Sequence, residues 1–168
     1  LWCWGANDFG QLGDDTTAAA ASPSHVSGER AWSVVSTGSS HTCAIDIDGG
    51  LWCWGENDQL QLGVGASDSS TSPIPVASEV PWLQVAAGSK FSCGIKADGT
   101  LWCWGYHGLG AIGIGAVAPE PGPNEVAHDT AWTKVMAGEH HACAIDNSER
   151  LWCWGRSGLD IAWEQNYL

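Results

Sequence analysis

Basic residues are scarce in this 168-residue chain: six lysines and arginines stand against nineteen aspartates and glutamates, for a formal net charge of −13. So few cations work against the attraction by which proteins hold nucleic-acid phosphates or anionic membrane surfaces. Neither nucleic acid nor direct membrane insertion is therefore expected, and the expected partners are other proteins with basic or neutral surfaces. Long hydrophobic runs are missing as well. The apolar stretches are broken by Gly, Asp and Ser, far short of the roughly 20 residues a membrane-spanning helix needs. The chain has no charged-then-apolar leader at its start and no Asn-X-Ser/Thr sequon, which speaks against N-linked sugars. A sustained helical period is also absent.

What the chain has in plenty is tryptophan and glycine, and both are periodic. The stretch "LWCWG" stands at Leu1–Gly5, Leu51–Gly55, Leu101–Gly105 and Leu151–Gly155. Eleven of the twelve tryptophans fall into three registers 50 residues apart: Trp2, Trp52, Trp102 and Trp152; Trp4, Trp54, Trp104 and Trp154; Trp32, Trp82 and Trp132. Gly13, Gly63 and Gly113 keep step, as do Gly38, Gly88 and Gly138. A fixed period of this length marks stacked supersecondary units and suits propeller blades. The expected organisation is a partial propeller over 1–155, with repeats 1–50, 51–100 and 101–150 and a fourth starting at 151. Residues 156–168 form a divergent tail or incomplete blade, with Trp163 where a repeat glycine belongs.

Each unit reads as strands and turns. Trp32 to Thr37, His41 to Ile47 and Leu51 to Trp54 are short runs rich in β-formers bounded by Gly, Ser and Asp. The segments 14–31, 64–81 and 114–131 carry Pro, Ser, Ala and Gly in unmatched order and read as variable surface loops, with a further strand near Val26, Val76 and Val126.

The succession "WGENDQLQLGVG", "SPIPV", "W..V.AG" and "HTCAIDIDGGLWCWG" resembles the repeat of the RCC1-like β-propellers, the group named after the regulator of chromosome condensation. The resemblance covers Leu1 to about Gly155. Kelch repeats are of similar length, but their paired glycines and separated Tyr and Trp are not seen. The resemblance implies an all-β fold of RCC1-like blades, each a small antiparallel sheet. Such rings usually close with about seven blades, of which this chain supplies about three and a fraction.

Seven cysteines sit at two phases of the repeat: Cys43, Cys93 and Cys143, then Cys3, Cys53, Cys103 and Cys153. If Ile47, Asp48 and Gly49 form a hairpin loop, with Gly49 in the left-handed conformation such a loop requires, Cys43 faces Cys53 directly. Facing residues are within disulfide range. The expected bridges are Cys43–Cys53, Cys93–Cys103 and Cys143–Cys153. Cys3 is left unpaired within this chain; its companion would stand seven positions before residue 1, as if the chain began inside a hairpin of a longer protein. Regular disulfides imply an oxidising compartment, so an extracellular or cell-surface location through the secretory pathway is expected.

Residues that recur in every unit are read as scaffold, and function is sought where units differ. The scaffold set is Trp32, Trp82, Trp132, Trp52, Trp54, Trp102 and Trp104 with Gly38, Gly88 and Gly138; Trp52 and Trp54 are expected to pack between blades. "DIDG" at 46–49 resembles part of a calcium loop, but its counterparts are "KADG" and "DNSE", so it reads as a turn. His41 and His141 occupy the family's "GxxH" position, where Phe91 replaces them in the middle unit; His25, His107, His128 and His140 are isolated. No CxxC pair occurs, and "GVGASDS" lacks the lysine a phosphate loop needs. No catalytic residue, metal or cofactor is assigned, and a non-enzyme is expected. Interaction candidates are the acids of the variable loops: Asp14, Asp15, Asp68, Glu120 and Glu125.

The resulting expectation is an extracellular propeller module that binds other proteins, in adhesion, matrix, or assembly of a surface or ciliary filament. Further copies, or the rest of its own propeller, are among the candidate partners. The resemblance also implies alternatives. One is inhibition of a secreted enzyme. Another is nucleotide exchange on a small GTPase with chromatin docking, against which the charge and the expected disulfides speak. Ultraviolet-B photoreceptors of this kind depend on "GWRHT"-like stretches, and this chain has "GSSHT", "GSKFS" and "GEHHA".

Overall fold

The computed structural model describes residues 1–115, 119–127, 129 and 131–156. His128 and the tail from residue 157, with Trp163, lie outside the described residues. Strand β1 (Trp2–Gly5) pairs with β2 (Ala20–His25). A first full blade follows, four antiparallel strands in the order β3 (Trp32–Thr37), β4 (His41–Asp46), β5 (Leu51–Gly55), β6 (Ser70–Val76). The second blade repeats it with β7 (Trp82–Ala87), β8 (Phe91–Lys96), β9 (Leu101–Gly105) and a short β10 (Asn124–Glu125). The third has β11 (Trp132–Ala137), β12 (His141–Asp146) and β13 (Leu151–Gly155). Among the described residues the one helical turn is a 3₁₀ segment, Gly108–Gly110.

The hairpin between β4 and β5 sets the register of its blade. Gly49 takes φ +84°, its N–H reaches the Asp46 carbonyl at 3.1 Å, and the Asp46 N–H reaches the Gly50 carbonyl at 2.9 Å. With that corner fixed, Ile45 faces Leu51, Ala44 faces Trp52 and Cys43 faces Cys53. The structure joins Cys43–Cys53, Cys93–Cys103 and Cys143–Cys153, each with Cα atoms 4.1 Å apart. Cys3, on β1 opposite Ser24, is a free thiol. The strand ends differ slightly from the sequence reading: β4 stops at Asp46 because Ile47 turns out to solvent at the corner, and β5 runs on to Gly55, which pairs with His41.

Alternation along the strands gives each sheet two apolar faces, and the core lies between blades. Cys43, Ile45, Leu51 and Cys53 of the first blade pack against Trp82, Val85 and Trp104 of the second. Cys93, Ile95, Leu101 and Cys103 of the second pack against Trp132 and Val135 of the third. Trp54 and Trp104 are fully buried, and each packs on the earlier tryptophan of its own blade, Trp32 and Trp82, with ring centroids 5.9 and 5.7 Å apart. Trp52 and Trp102 also pack against the clusters between blades. They are only half-buried, and cations cover them: the Arg30 guanidinium lies 3.5 Å from the Trp52 ring centroid and Lys96 Nζ 3.9 Å from that of Trp102.

Candidate interaction surface

The strand pairing sorts the connections to two ends of the blades. Gly55 pairs with both His41 and Ser70, so the β3–β4 turn and the long loop after β5 share one end. Leu51 pairs with Ile45 and Val76, so the hairpin corner and the crossover to the next blade share the other.

The loop end is tied down by a repeated device. Gln11 and Gln61 turn their backbone carbonyls to the Nε1–H of Trp54 and Trp104, each at 2.9 Å, and Ala111 does the same for Trp154 at 3.1 Å. Gly63, at φ +73°, makes room for this: a Cβ there would lie 2.7 Å from Trp104 Nε1. Asn7 and Asn57 are buried and hold their loops from inside, accepting the Leu12 and Leu62 N–H at 2.9 Å and donating to carbonyls beyond. His107 stands at the third asparagine position, and there the chain forms the 3₁₀ turn. Across the first seam Lys90 Nζ lies 2.7 Å from Asp58 Oδ2 and 3.2 Å from Glu56 Oε1. Burial pushes the Asp58 carboxyl up, but the Lys90 hydrogen bond and charge outweigh it and hold the group below the usual range.

The five acids singled out in the sequence do not form one site. Asp14 is turned into its own loop, accepting from Thr16 Oγ1 at 2.8 Å, Ser24 Oγ at 2.9 Å and Asn7 Nδ2 at 3.3 Å. Although burial pushes its carboxyl up, these bonds hold it low. Asp15 sits at φ +64° and accepts the Ser27 hydroxyl. Asp68 and Glu120 are exposed, and their backbones are held by Asn57 and Asn124. Glu125 faces out of β10, opposite Trp102.

The hairpin end gathers acids from different elements, Glu125 among them. Two notches of about 190 and 260 Å³ open where a hairpin corner meets the crossover to the next blade. Asp46, Asp48 and Glu79 line the one between the first and second blades, and Asp98, Glu125 and Asp129 the one between the second and third. Glu29, Glu79 and Asp129 recur 50 residues apart and are all exposed, so here recurrence marks surface and not packing. That spacing was the available signal. The basic side chains Arg30, Lys96 and Arg150 of this end each lie over a tryptophan ring, Trp52, Trp102 and Trp152. Asp146 is buried: burial pushes its carboxyl up, but bonds from Trp152 Nε1 and from the Arg150 and Ser148 amides, with the Arg150 guanidinium, bring it down to about 2. No group of three metal-ligating side chains is found among the described residues.

The regulator of chromosome condensation (RCC1) repeat profile matches residues 1–45, 48–95 and 98–145, and a second profile of the same description matches 32–61, 82–110 and 132–159. This chain belongs to the RCC1 repeat family. Its fold is that of RCC1 blades in solved structures. Human WBSCR16 is similar at TM-score 0.83 and 17% identity, over 95% of this chain and 44% of that one. Prp20p of Saccharomyces cerevisiae is similar at TM-score 0.77 and 21% identity, over 92% and 41%. The ectodomain of the Physcomitrella patens receptor kinase CR4 is similar at TM-score 0.57 and 28% identity, over 93% and 35%. The chain thus spans about two-fifths of the length of the structures it matches. No curated protein sequence matches it. As an RCC1-repeat chain it carries a propeller fold suited to protein–protein interaction.

Proposed function

We propose that this RCC1-repeat chain is an extracellular, non-enzymatic propeller module that binds basic protein surfaces through the acidic hairpin end of its blades. The observation that carries this reading is the set of three bridges at one register, Cys43–Cys53, Cys93–Cys103 and Cys143–Cys153. Disulfides of this regularity persist where thiols are oxidised. The 28% identity to a receptor-kinase ectodomain supports the same setting. The net charge of −13 and the acid-lined notches support a basic partner, because opposite potentials steer association and suppress wrong partners.

Further blades, from the same protein or another copy, fit the two outer flanks. Trp4 and Met136 are 62% and 73% exposed there, where the inner blades bury Trp54 and Ala86. Roles in adhesion, matrix or filament assembly, or as an inhibitor of a secreted enzyme, all use such a module. A second reading, nucleotide exchange, has its support in the likeness to Prp20p, whose structure is described together with its binding to Gsp1p and histones.

Counting thiols in protein isolated without reductant separates the two readings. One free thiol, with peptide mapping that joins the three hairpin pairs, supports the extracellular module. Seven free thiols, together with accelerated release of labelled GDP from a small GTPase, overturn it in favour of exchange.

A further inference from the structure

His41 opens β4 and is 1% exposed where the first blade meets the second. Its repeat counterparts are Phe91, also buried, and His141, which is exposed. The hydrogen bonds around it fix its protonation. Ser92 on β8 places its Oγ 2.9 Å from His41 Nε2 and 2.9 Å from the Gln61 carbonyl oxygen. A carbonyl only accepts, so the single hydroxyl proton of Ser92 goes to Gln61, and His41 donates to Ser92 from Nε2–H. In the neutral ring Nδ1 is then a bare acceptor, and it has no hydrogen-bond partner among the described residues. The same Gln61 carbonyl takes the Trp104 Nε1–H at 2.9 Å, so the relay links β4, β8, β9 and the loop after β5. Nδ1 lies beside Gly38, where an added Cβ would stand 2.7 Å from it and against the Gly88 carbonyl.

Charged groups on the surrounding elements are engaged elsewhere. On β4, Asp46 accepts from Trp52 Nε1 and the corner amides. Glu56 and Asp58, after β5, hold Lys90 from the turn before β8. Lys96, at the far end of β8, lies on Trp102, and Asp8 in the first loop is exposed. None of these hydrogen-bonds to the imidazole.

We propose that His41 is an acid-sensitive latch: the neutral ring closes the seam between the first and second blades, and protonation at Nδ1 opens it. The added proton would place an N–H without an acceptor in a dry seam, and water reaches Nδ1 only if the turns 38–40 and 88–90 part. Burial lowers the His41 pKa to about 4 in the closed seam, while an opened seam leaves the ring near the ordinary value of about 6.5. The open form therefore binds more protons, so closure is complete above about pH 6.5 and weakens as pH falls towards about 4. Lys90 bridges the same seam to Glu56 and Asp58, and although burial pushes the Asp58 carboxyl up, the Lys90 hydrogen bond and charge hold it below the usual range.

Hydrogen exchange of the whole chain, read in peptides covering 38–43 and 88–93 and corrected for the intrinsic pH effect, tests the latch. Between pH 7 and pH 4.5 protection of these peptides should fall about 10- to 100-fold. In His41→Phe, which copies the residue that fills this position in the next repeat, the fall should vanish. An equal fall in both proteins, or none in the wild type, overturns the proposal. Nitrogen-15 shifts of the imidazole give a reading independent of the variant's folding. An Nε2–H tautomer that stays neutral at pH 5.5 is expected; an Nδ1–H tautomer, or titration at the ordinary value, rules the latch out.

Discussion

Gly63 shows how one residue holds a seam. Its φ of +73° already disfavours any side chain, and a Cβ would stand 2.7 Å from the indole nitrogen of Trp104. Two positions on, Gly65 has φ +75° but nothing nearer than 4.0 Å. Gly65→Ala should therefore lose about 1 kcal/mol from left-handed strain alone. Gly63→Ala should lose more, about 2–4 kcal/mol in urea unfolding, because Trp104 must also shift from its Gln61 bond. Equal losses would mean that the indole contact adds nothing. Asp146 makes a pH-dependent contribution of opposite chemistry to that of His41. Its folded pKa of about 2 lies below the ordinary carboxylate value, so its stabilisation is full above about pH 4 and is lost as pH falls through about 2. Thermal melts between pH 5 and pH 2 should show a steeper decline for the wild type than for Asp146→Asn. Parallel curves would assign acid unfolding to other groups.

Among the elements, the hairpin is the unit that recurs most faithfully. Its corner survives even in the third blade, where Glu149 takes φ +64° in place of a glycine and the Asp146 carboxylate accepts the Ser148 and Arg150 amides, as Asp46 accepts those of Asp48 and Gly50. Closing a ten-residue separation by a disulfide is worth about 3 kcal/mol in the chain-entropy account. Replacing Cys43 and Cys53 together by serine should cost at least that, since both sulfurs are fully buried among apolar side chains. Guanidinium titration of the double variant checks this, and an unchanged midpoint would count against a structural bridge. This register was legible in the sequence because it depends on a local corner and a two-residue alternation. The half-burial of Trp52 and Trp102 was not, since it depends on Arg30 and Lys96 reaching them from outside the "LWCWG" stretch.

At the scale of the molecule, the acidic excess should govern association. If basic surfaces dock on the hairpin end, affinity for a basic protein should fall steeply between 50 and 300 mM salt, and Asp48→Asn with Glu79→Gln should weaken binding and flatten the salt dependence. Loss of the same size from Asp14→Asn, whose carboxylate is spent within its loop, would argue against this placement of the surface. The five loop acids chosen from sequence were picked for being variable. Glu125 is one of them and does line a notch, whereas Glu79 and Asp129 recur 50 residues apart, a spacing that marks scaffold elsewhere in the repeat.

The sequence by itself determined the 50-residue unit, the strands, the corner that sets Cys43 against Cys53, and the membership in the RCC1 repeat family. Those features are written in spacing within one repeat, where covalent connection limits what can meet. Tertiary structure alone decided that His41 is buried at the seam with the second blade, that Lys90 finds Glu56 and Asp58, and that Asp48 meets Glu79 in a notch. Each of these depends on what the neighbouring blade brings to the seam. That is set by stacking between repeats, and identical local spacing leaves it open.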